Sequence, residues 1–570
     1  MQRISSVRVA TTCCKMKSMI SIATTESHIV RHFREVLFWP VQLMPMGNSG
    51  NAQPLWELLS QEGEDNPWRR LKDRFKAGDL DFEERHYKEF VAFLPYVQRF
   101  IYGESHGRMS HDADDPAGGS AIKIFRRRGV NALRLVLRKD DAPITLDVEH
   151  IELWFFDDIN VAFLKIELSA SNLLFADVCN LLYRFGRAYP TGWDSDGHGK
   201  HNVHSAEWLS ADGAVLAASD TDNQEKFLSY TRAHRSPGIA THWDFLLRPL
   251  VLDPSEETGL LRYRQIEYHR MPLMAFLAVD NPRGISRENW LRLGLVATLH
   301  PDEALPMHDP DVAEFESRYC YDRFWSDTEA GPNTRFLCTG RAFVVVGDAR
   351  AEYFHDRARG ILAQFRHQYV LMFMIAHFHR ASLLVFSDRM VDAVHDMDIR
   401  SPQSISRFRR RIYAGFEAFL RFTHRYWFHE LSERPHVQAL YRMCSEHLRN
   451  ESLYQEVKEE LRDMSQYLDS NAQRQQSTTI VRLTVVTVFS MVGTVATGLL
   501  GMNLIAEAEA PIPVRLIYFF VTTLITALFM MLAILKSKQL SDVMDVLADD
   551  QKSLRTRLGM LGKAWQRNLN

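Results

Sequence analysis

Cysteine is scarce in this chain. The six present, Cys13, Cys14, Cys179, Cys320, Cys338 and Cys444, make no CxxC pair and no Cys/His spacing suited to zinc. That excludes a disulfide scaffold and a zinc-ribbon domain, and fits a reducing cytoplasm. An excess of one charge is also lacking: 68 Lys and Arg stand against 71 Asp and Glu, a formal net charge of −3. Nothing therefore points to nucleic acid, and Arg126-Arg127-Arg128 and Arg409-Arg410-Arg411 read as solvated faces. No P-loop, nucleophile elbow or HExxH motif is found, so neither an enzyme nor a bound cofactor is expected. Residues 1–46 have no long apolar run followed by a small-residue cleavage site, and no signal peptide is expected there. They read as a poorly ordered extension whose apolar patch, Val36 to Val41, is too short to span a membrane and should dock onto the following domain.

The most telling absence is of charge near the C-terminus. Leu483 to Met502 and Leu516 to Leu535 each run twenty residues without one, the length needed to cross a hydrocarbon core of ~30 Å. Arg474 and Arg482 precede the first run and Lys536 and Lys538 follow the second, whereas residues 504–512 have no Lys or Arg and carry Glu507 and Glu509. Two transmembrane helices with both termini cytoplasmic follow, and Arg515 is outvoted. A third apolar stretch, Tyr369 to Phe386, contains His377, His379 and Arg380. A mid-span Arg costs about 2.5 to 3.5 kcal/mol, so a buried cytosolic helix is expected there, with its two histidines on different faces.

Upstream, β-branched and alternating segments predict strands at 121–126, 132–138, 151–156 and 161–168, the last two joined by a turn at 157–160. A helix is predicted over 173–183 and another strand over 341–347, giving a mixed sheet flanked by helices. Strand signals stop at Ser404, and from His436 neither Pro nor Gly occurs until Gly493. One helix from about His436 to Asn503, on the order of 100 Å long, is expected, most of it a cytoplasmic stalk. Its apolar seam of Leu453, Val457, Leu461, Met464 and Leu468 calls for a partner, naturally another copy. The chain thus divides into an extension (1–46), a cytosolic α/β domain (47–400), a helical region and stalk (401–482), a first transmembrane helix (483–503), an external loop (504–512), a second transmembrane helix (513–535) and a basic cytoplasmic tail (536–570).

Spacings of three and four put Ser477, Ile480, Thr484, Thr487, Met491, Thr494 and Gly498 on one face of the first span. The hydroxyls suit water or a hydrated cation, and Ile480, Leu483 and Met491 suit apolar constrictions. Thr and Gly also serve plain helix packing in membranes, so the stripe alone leaves both readings open. The span ends in Leu500-Gly501-Met502-Asn503.

Gly501-Met502-Asn503 at the end of the first of two C-terminal spans resembles the signature of the CorA family of divalent-cation transporters, over about sixty residues with the second span included. By position, Asn503 matches the family's selectivity asparagine at the outer mouth, with Gly501 and Met502 beside it. Thr494 matches its pore threonine, Met491 its pore methionine, Leu483 its gate leucine and Ile480 the methionine below. Leu500 stands where the family usually has Tyr, and Ser477 where it often has Asn. The resemblance implies a funnel-shaped homopentamer in the cell's inner (plasma) membrane, its pore lined by the first span and its second span facing lipid. The cargo it implies is most simply Mg²⁺, whose tightly held water shell a ring of neutral Asn carbonyls can bind. The alternatives are a Zn²⁺, Co²⁺ or Ni²⁺ transporter of the ZntB type, or a non-conducting, membrane-anchored cation sensor. Glu507 and Glu509 either attract cations at the mouth or merely solvate the loop. Family members sense Mg²⁺ through cytosolic acidic sites, for which Asp112 and Asp114, and Asp194, Asp196 and His198, are the candidates. The His-bearing set would favour a softer ion.

Overall fold

The computed structural model describes residues 28–45, 54–61, 66–71, 84–103, 120–255, 259, 261–267, 269–297, 308–326, 333–397, 402–501 and 511–535. It divides into two units, Met1–Arg462 and Asp463–Asn570.

The first unit is organised by a strand that the sequence reading had assigned to the N-terminal extension. Ile29–Pro45 (β1) is seventeen residues long and lies inside the sheet. Val36 to Val41 do more than dock: buried on both faces, they form the middle of that strand, as an apolar run does when both sides of a sheet are covered. The other strands are β2 (Trp68–Arg70), β3 (Ile122–Arg127), β4 (Ala132–Val136), β5 (Ile144–Phe156), β6 (Val161–Leu174), β7 (Ser205–Leu209), β8 (Val215–Ala218), β9 (Val251–Leu252), β10 (Leu261–Gln265), β11 (Leu273–Val279), β12 (Cys320–Tyr321), β13 (Arg335–Cys338) and β14 (Ala342–Asp348). Among the described residues these fourteen strands form one sheet, whose main path runs β12-β13-β14-β11-β1-β6-β5-β4-β7-β8. It is mixed: β11 pairs with β14, and β9 with β10, in parallel, while β1, β5 and β6 are joined antiparallel.

Along one edge β1 pairs with β6 from Ile29 to Gln42. Along the other it pairs first with β11, as far as Leu37, and then with β10, from Val41. Pro40 falls between those two partners, where the ladder needs no donor, and this is how a proline is accommodated in an internal strand.

Helices cover both faces. Over one lie Phe175–Arg184 (α1), Thr241–Leu247 and Arg287–Leu295, enclosing a core that includes Phe33, Leu37, Trp39, Leu164, Leu168, Trp208, Trp243 and Leu277. Over the other lies Val370–His395 (α2), continued backwards by a π-helical turn and a short helix to Ile361. Phe373 packs on Phe38 at 5.6 Å and Phe378 stacks on Phe156 at 4.2 Å, between ring centroids. Pro402–Arg425 (α3) and Pro435–His447 (α4) pack against α2 from outside it. With the sheet on one side and helices on the other, α2 is apolar all round because it is buried all round. Its histidines do point different ways, as their spacing predicts: His377 Nε2 lies 3.0 Å from the Gly340 carbonyl and His379 Nε2 2.6 Å from that of Tyr426. Burial lowers their pKa values to about 4 and about 3, so both are neutral.

Candidate functional site

The long helix differs from the sequence expectation in one respect. It does not run unbroken from about His436: α4 ends at His447, and Asn450–Gly501 (α5) begins after a break at Leu448-Arg449. Arg449 is left-handed, with φ 55°. No glycine marks the break, because tertiary contacts impose it. Arg380 Nη1 donates to the Leu448 carbonyl at 2.7 Å, and Asn450 Nδ2 donates to the Ala376 carbonyl at 2.9 Å, pinning both sides of Arg449 to α2. The 52 residues of α5 correspond to roughly 80 Å. The first part of its seam is covered by the same chain rather than by another copy. Tyr454, Val457 and Leu461 are buried, and Tyr454 stacks between Phe419 and Trp427, with centroids 5.5 and 4.6 Å away.

Further along α5, Ile480, Leu483, Thr484, Thr487, Met491, Thr494 and Gly498 are all exposed. The stripe predicted from spacing is thus open, as are Ser490, Gly493, Val495, Thr497 and Leu499 around it. Its threonines share one arrangement: the hydroxyls of Thr484, Thr487 and Thr494 each donate at 2.9 Å to the carbonyl four residues earlier, of Ile480, Leu483 and Ser490. Since the hydroxyl proton is used inside the helix, what the oxygen offers outward is lone-pair density, an acceptor for water or a cation. A Cβ added at Gly493, Gly498 or Gly501 would meet nothing within 4 Å, so packing within this chain does not require glycine at these positions.

The second C-terminal helix, Ile512–Leu535 (α6), has Pro513 in its first turn, where a missing amide costs nothing. Ile512, Leu516, Ile517, Phe520, Leu524, Ile525, Leu528 and Met531 are each at least half exposed. So large an apolar surface is uncommon on a soluble monomer. The apolar runs at Ser490–Leu499 and Ile512–Leu528 are described here, whereas Ile361–His395, the one described helix long and apolar enough to cross a membrane, is mostly buried in the fold. Gly501 closes α5; Met502, Asn503, Glu507 and Glu509 lie outside the described residues, as do Asp112 and Asp114.

The acidic and histidine-bearing loop after α1 is described, and it is rearranged relative to the sequence expectation. Asp194 Oδ1 accepts the backbone N–H groups of Asp196 and His198 at 3.0 and 2.9 Å. These bonds, that from His198 first, hold Asp194 below its usual pKa and tie it to the turn. Asp196 is exposed. The residues brought together are His198, His204 and Asp222, with one ligand atom from each within 4.8 Å of the others. Asp222 Oδ2 lies 2.9 Å from His198 Nδ1, while its Oδ1 accepts the Gly199 N–H at 3.0 Å. The Asp222 hydrogen bond raises the His198 pKa above its ordinary value. A Cβ on Gly199 would come within 3.0 Å of the Thr221 carbonyl, so glycine allows the two segments this approach. Two imidazoles and a carboxylate are a donor set for zinc-like ions, not for Mg²⁺. Asp222 was missed by sequence reasoning because it lies 24 residues from His198 with no local motif linking them.

Residues 399–538 match the family described as CorA-like Mg2+ transporter protein. Among curated proteins, none matches the chain.

Proposed function

We propose, from the premise that residues 399–538 belong to the CorA-like Mg²⁺ transporter family, that this chain conducts hydrated divalent cations, Mg²⁺ foremost, through a pore lined by α5 with Asn503 at its outer mouth. The premise makes the protein a membrane transporter of divalent cations and not an enzyme. The observation that carries the finer reading is the exposed stripe from Ile480 to Gly498, with its outward-facing threonine oxygens. An acceptor-lined face of a helix, open in the single chain, is what several copies would turn toward a shared axis. The open space at Gly493, Gly498 and Gly501 fits the same arrangement, since small residues let neighbouring helices approach. In it, α6 lies outside against lipid, the assembly is a homopentamer, both termini are cytoplasmic, and Glu507 and Glu509 raise the cation concentration at the mouth.

The test is ion flux into liposomes holding the purified chain. Mg²⁺ entry that falls at least about tenfold in Asn503→Ala supports the reading; an absence of flux for every divalent ion rejects it.

A second reading, Zn²⁺ as cargo or signal, is favoured by the His198, His204 and Asp222 trio. It expects Zn²⁺ to bind the wild-type chain and to be lost from His204→Ala, measured by equilibrium dialysis. Equal retention by both would remove it.

A further inference from the structure

A cavity of about 360 Å³ opens in the first unit beside the α4–α5 break. Four arginines line it, each from a different part of the fold: Arg270 just before β11, Arg341 in the β13–β14 hairpin, Arg380 in the middle of α2, and Arg449 at the break itself. Met271, Leu273 and Leu295 supply an apolar wall. The hairpin closes onto α4 through Gly340, at φ 82°, where a Cβ would lie 3.1 Å from the carbonyl carbon of His447.

Arg270 and Arg380 are held in place. Arg270 Nη2 donates to the Val296 carbonyl at 2.8 Å. Arg380 donates to the Leu448 carbonyl and pairs with Glu267. The Arg449 guanidinium has no hydrogen-bond or ion-pair partner among the described residues. Crowding of like charge is felt here. Burial first, then Arg187 and Arg341, lowers Arg270 to about 10, and burial with Arg187, Arg270 and Arg341 lowers His269 to about 4. Glu267 offsets part of this charge, and what remains around so small a space costs electrostatic energy that a bound anion recovers. Guanidiniums match phosphate oxygens in bidentate fashion, and a cavity near the lower end of the range for small-molecule sites suits a ligand the size of a nucleotide or sugar phosphate.

We propose that this cavity binds a phosphorylated small-molecule anion, with its phosphate oxygens among the guanidiniums of Arg270, Arg341, Arg380 and Arg449, and its organic part against Met271, Leu273 and Leu295. Binding does not depend on the transport reading. An influence on transport does, through Arg449, because the ligand would sit on the residue from which α5 starts.

The test is isothermal titration of the full chain in mild detergent and EDTA, with inorganic pyrophosphate and ADP as probes. Saturable binding of either, weakened at least about tenfold in Arg341→Gln and in Arg449→Asn, supports the proposal. Asn is chosen at 449 because it tolerates the left-handed backbone, and an unchanged thermal midpoint shows that the variant is folded. Arg409→Gln/Arg410→Gln on the exposed surface of α3 removes charge elsewhere and is expected to leave affinity unchanged. If neither probe binds, if the cavity variants bind as wild type does, or if the α3 variant loses as much, the proposal is overturned. A chain that binds pyrophosphate but passes no ion would reject the transport reading and leave this one standing.

Discussion

Glu35 is the most exceptional single residue. It sits in β1, fully buried, and neither carboxylate oxygen has a hydrogen-bond partner. Burial alone raises its pKa to about 8. Since the folded value lies above the unfolded one of ~4.5, its contribution to stability is full below pH ~4.5 and is lost as pH rises through about 8. Glu35→Leu is therefore expected to stabilise the chain more at pH 8 than at pH 5, by a margin on the order of 3 kcal/mol, read from denaturation at the two values. An equal gain at both would count against a buried, titrating carboxyl. Its neighbour shows the opposite solution. Arg34 donates to Glu167 at 2.6 Å and to Glu149 at 2.9 Å, and Arg366 reaches Glu167 at 3.2 Å. Burial pushes Glu167 upward, but Lys165, Arg34 and Arg366 outweigh it and hold the carboxyl at about 2. Glu167→Gln would leave buried guanidiniums short of a counter-charge and should cost about 3 to 5 kcal/mol, checked by the same denaturation. Neither environment is legible in the sequence, where Arg34-Glu35 looks like surface charge.

At the scale of elements, the readable parts were those whose pattern is local. The β3 and β4 strands, the turn at 157–160, the α1 helix and β14 emerge within two residues of the positions expected from alternation and turn chemistry, while β5 and β6 meet at the expected turn but β5 starts seven residues earlier and β6 ends six residues later than expected. β1 was not legible as a strand because Arg34, Glu35 and Pro40 break its pattern, and the segments that pair with it and the carboxylate that meets Arg34 lie more than a hundred residues away. The α4–α5 break was hidden for the same reason: Arg380 and Asn450 fix it, not a glycine. Arg449→Gly should relieve the left-handed strain and raise stability by about 1 kcal/mol, seen as a higher thermal midpoint. On α5 the spacing of the stripe is legible in the sequence, but the inward use of the threonine protons needed coordinates. Thr494→Val keeps the shape and removes the acceptor. Mg²⁺ flux through liposomes is expected to fall severalfold, while an unaltered rate would assign Thr494 to packing.

For the whole molecule, the apolar C-terminal part was legible because membrane physics writes itself locally, in charge-free runs, and the resemblance it carries agrees with the family match over residues 399–538. The Asp222 partner of His198 and the four-arginine cavity were not, since each is assembled from distant segments. The apolar exposure of α6 and the open glycines of α5 both call for something outside the single chain. The purified protein is accordingly expected to run in mild detergent as an oligomer, of five copies if the arrangement proposed from the family resemblance holds, measured by light scattering with the detergent mass subtracted. A monomer or dimer would remove the basis for a central pore.

The place of β1 in the sheet also has a cost in time. Arg31, on that strand, is paired with Asp280, 249 residues later in the chain. At ~5 to 20 residues per second of synthesis, a strand bearing Phe38, Trp39 and Val41 waits roughly 12 to 50 seconds after leaving the ribosome before its last partner exists. During that interval one edge of the strand that lies inside the sheet, with its apolar run from Val36 to Val41, is unpaired, so the nascent chain is most open to chaperones, and to aggregation, long before its first membrane helix is made.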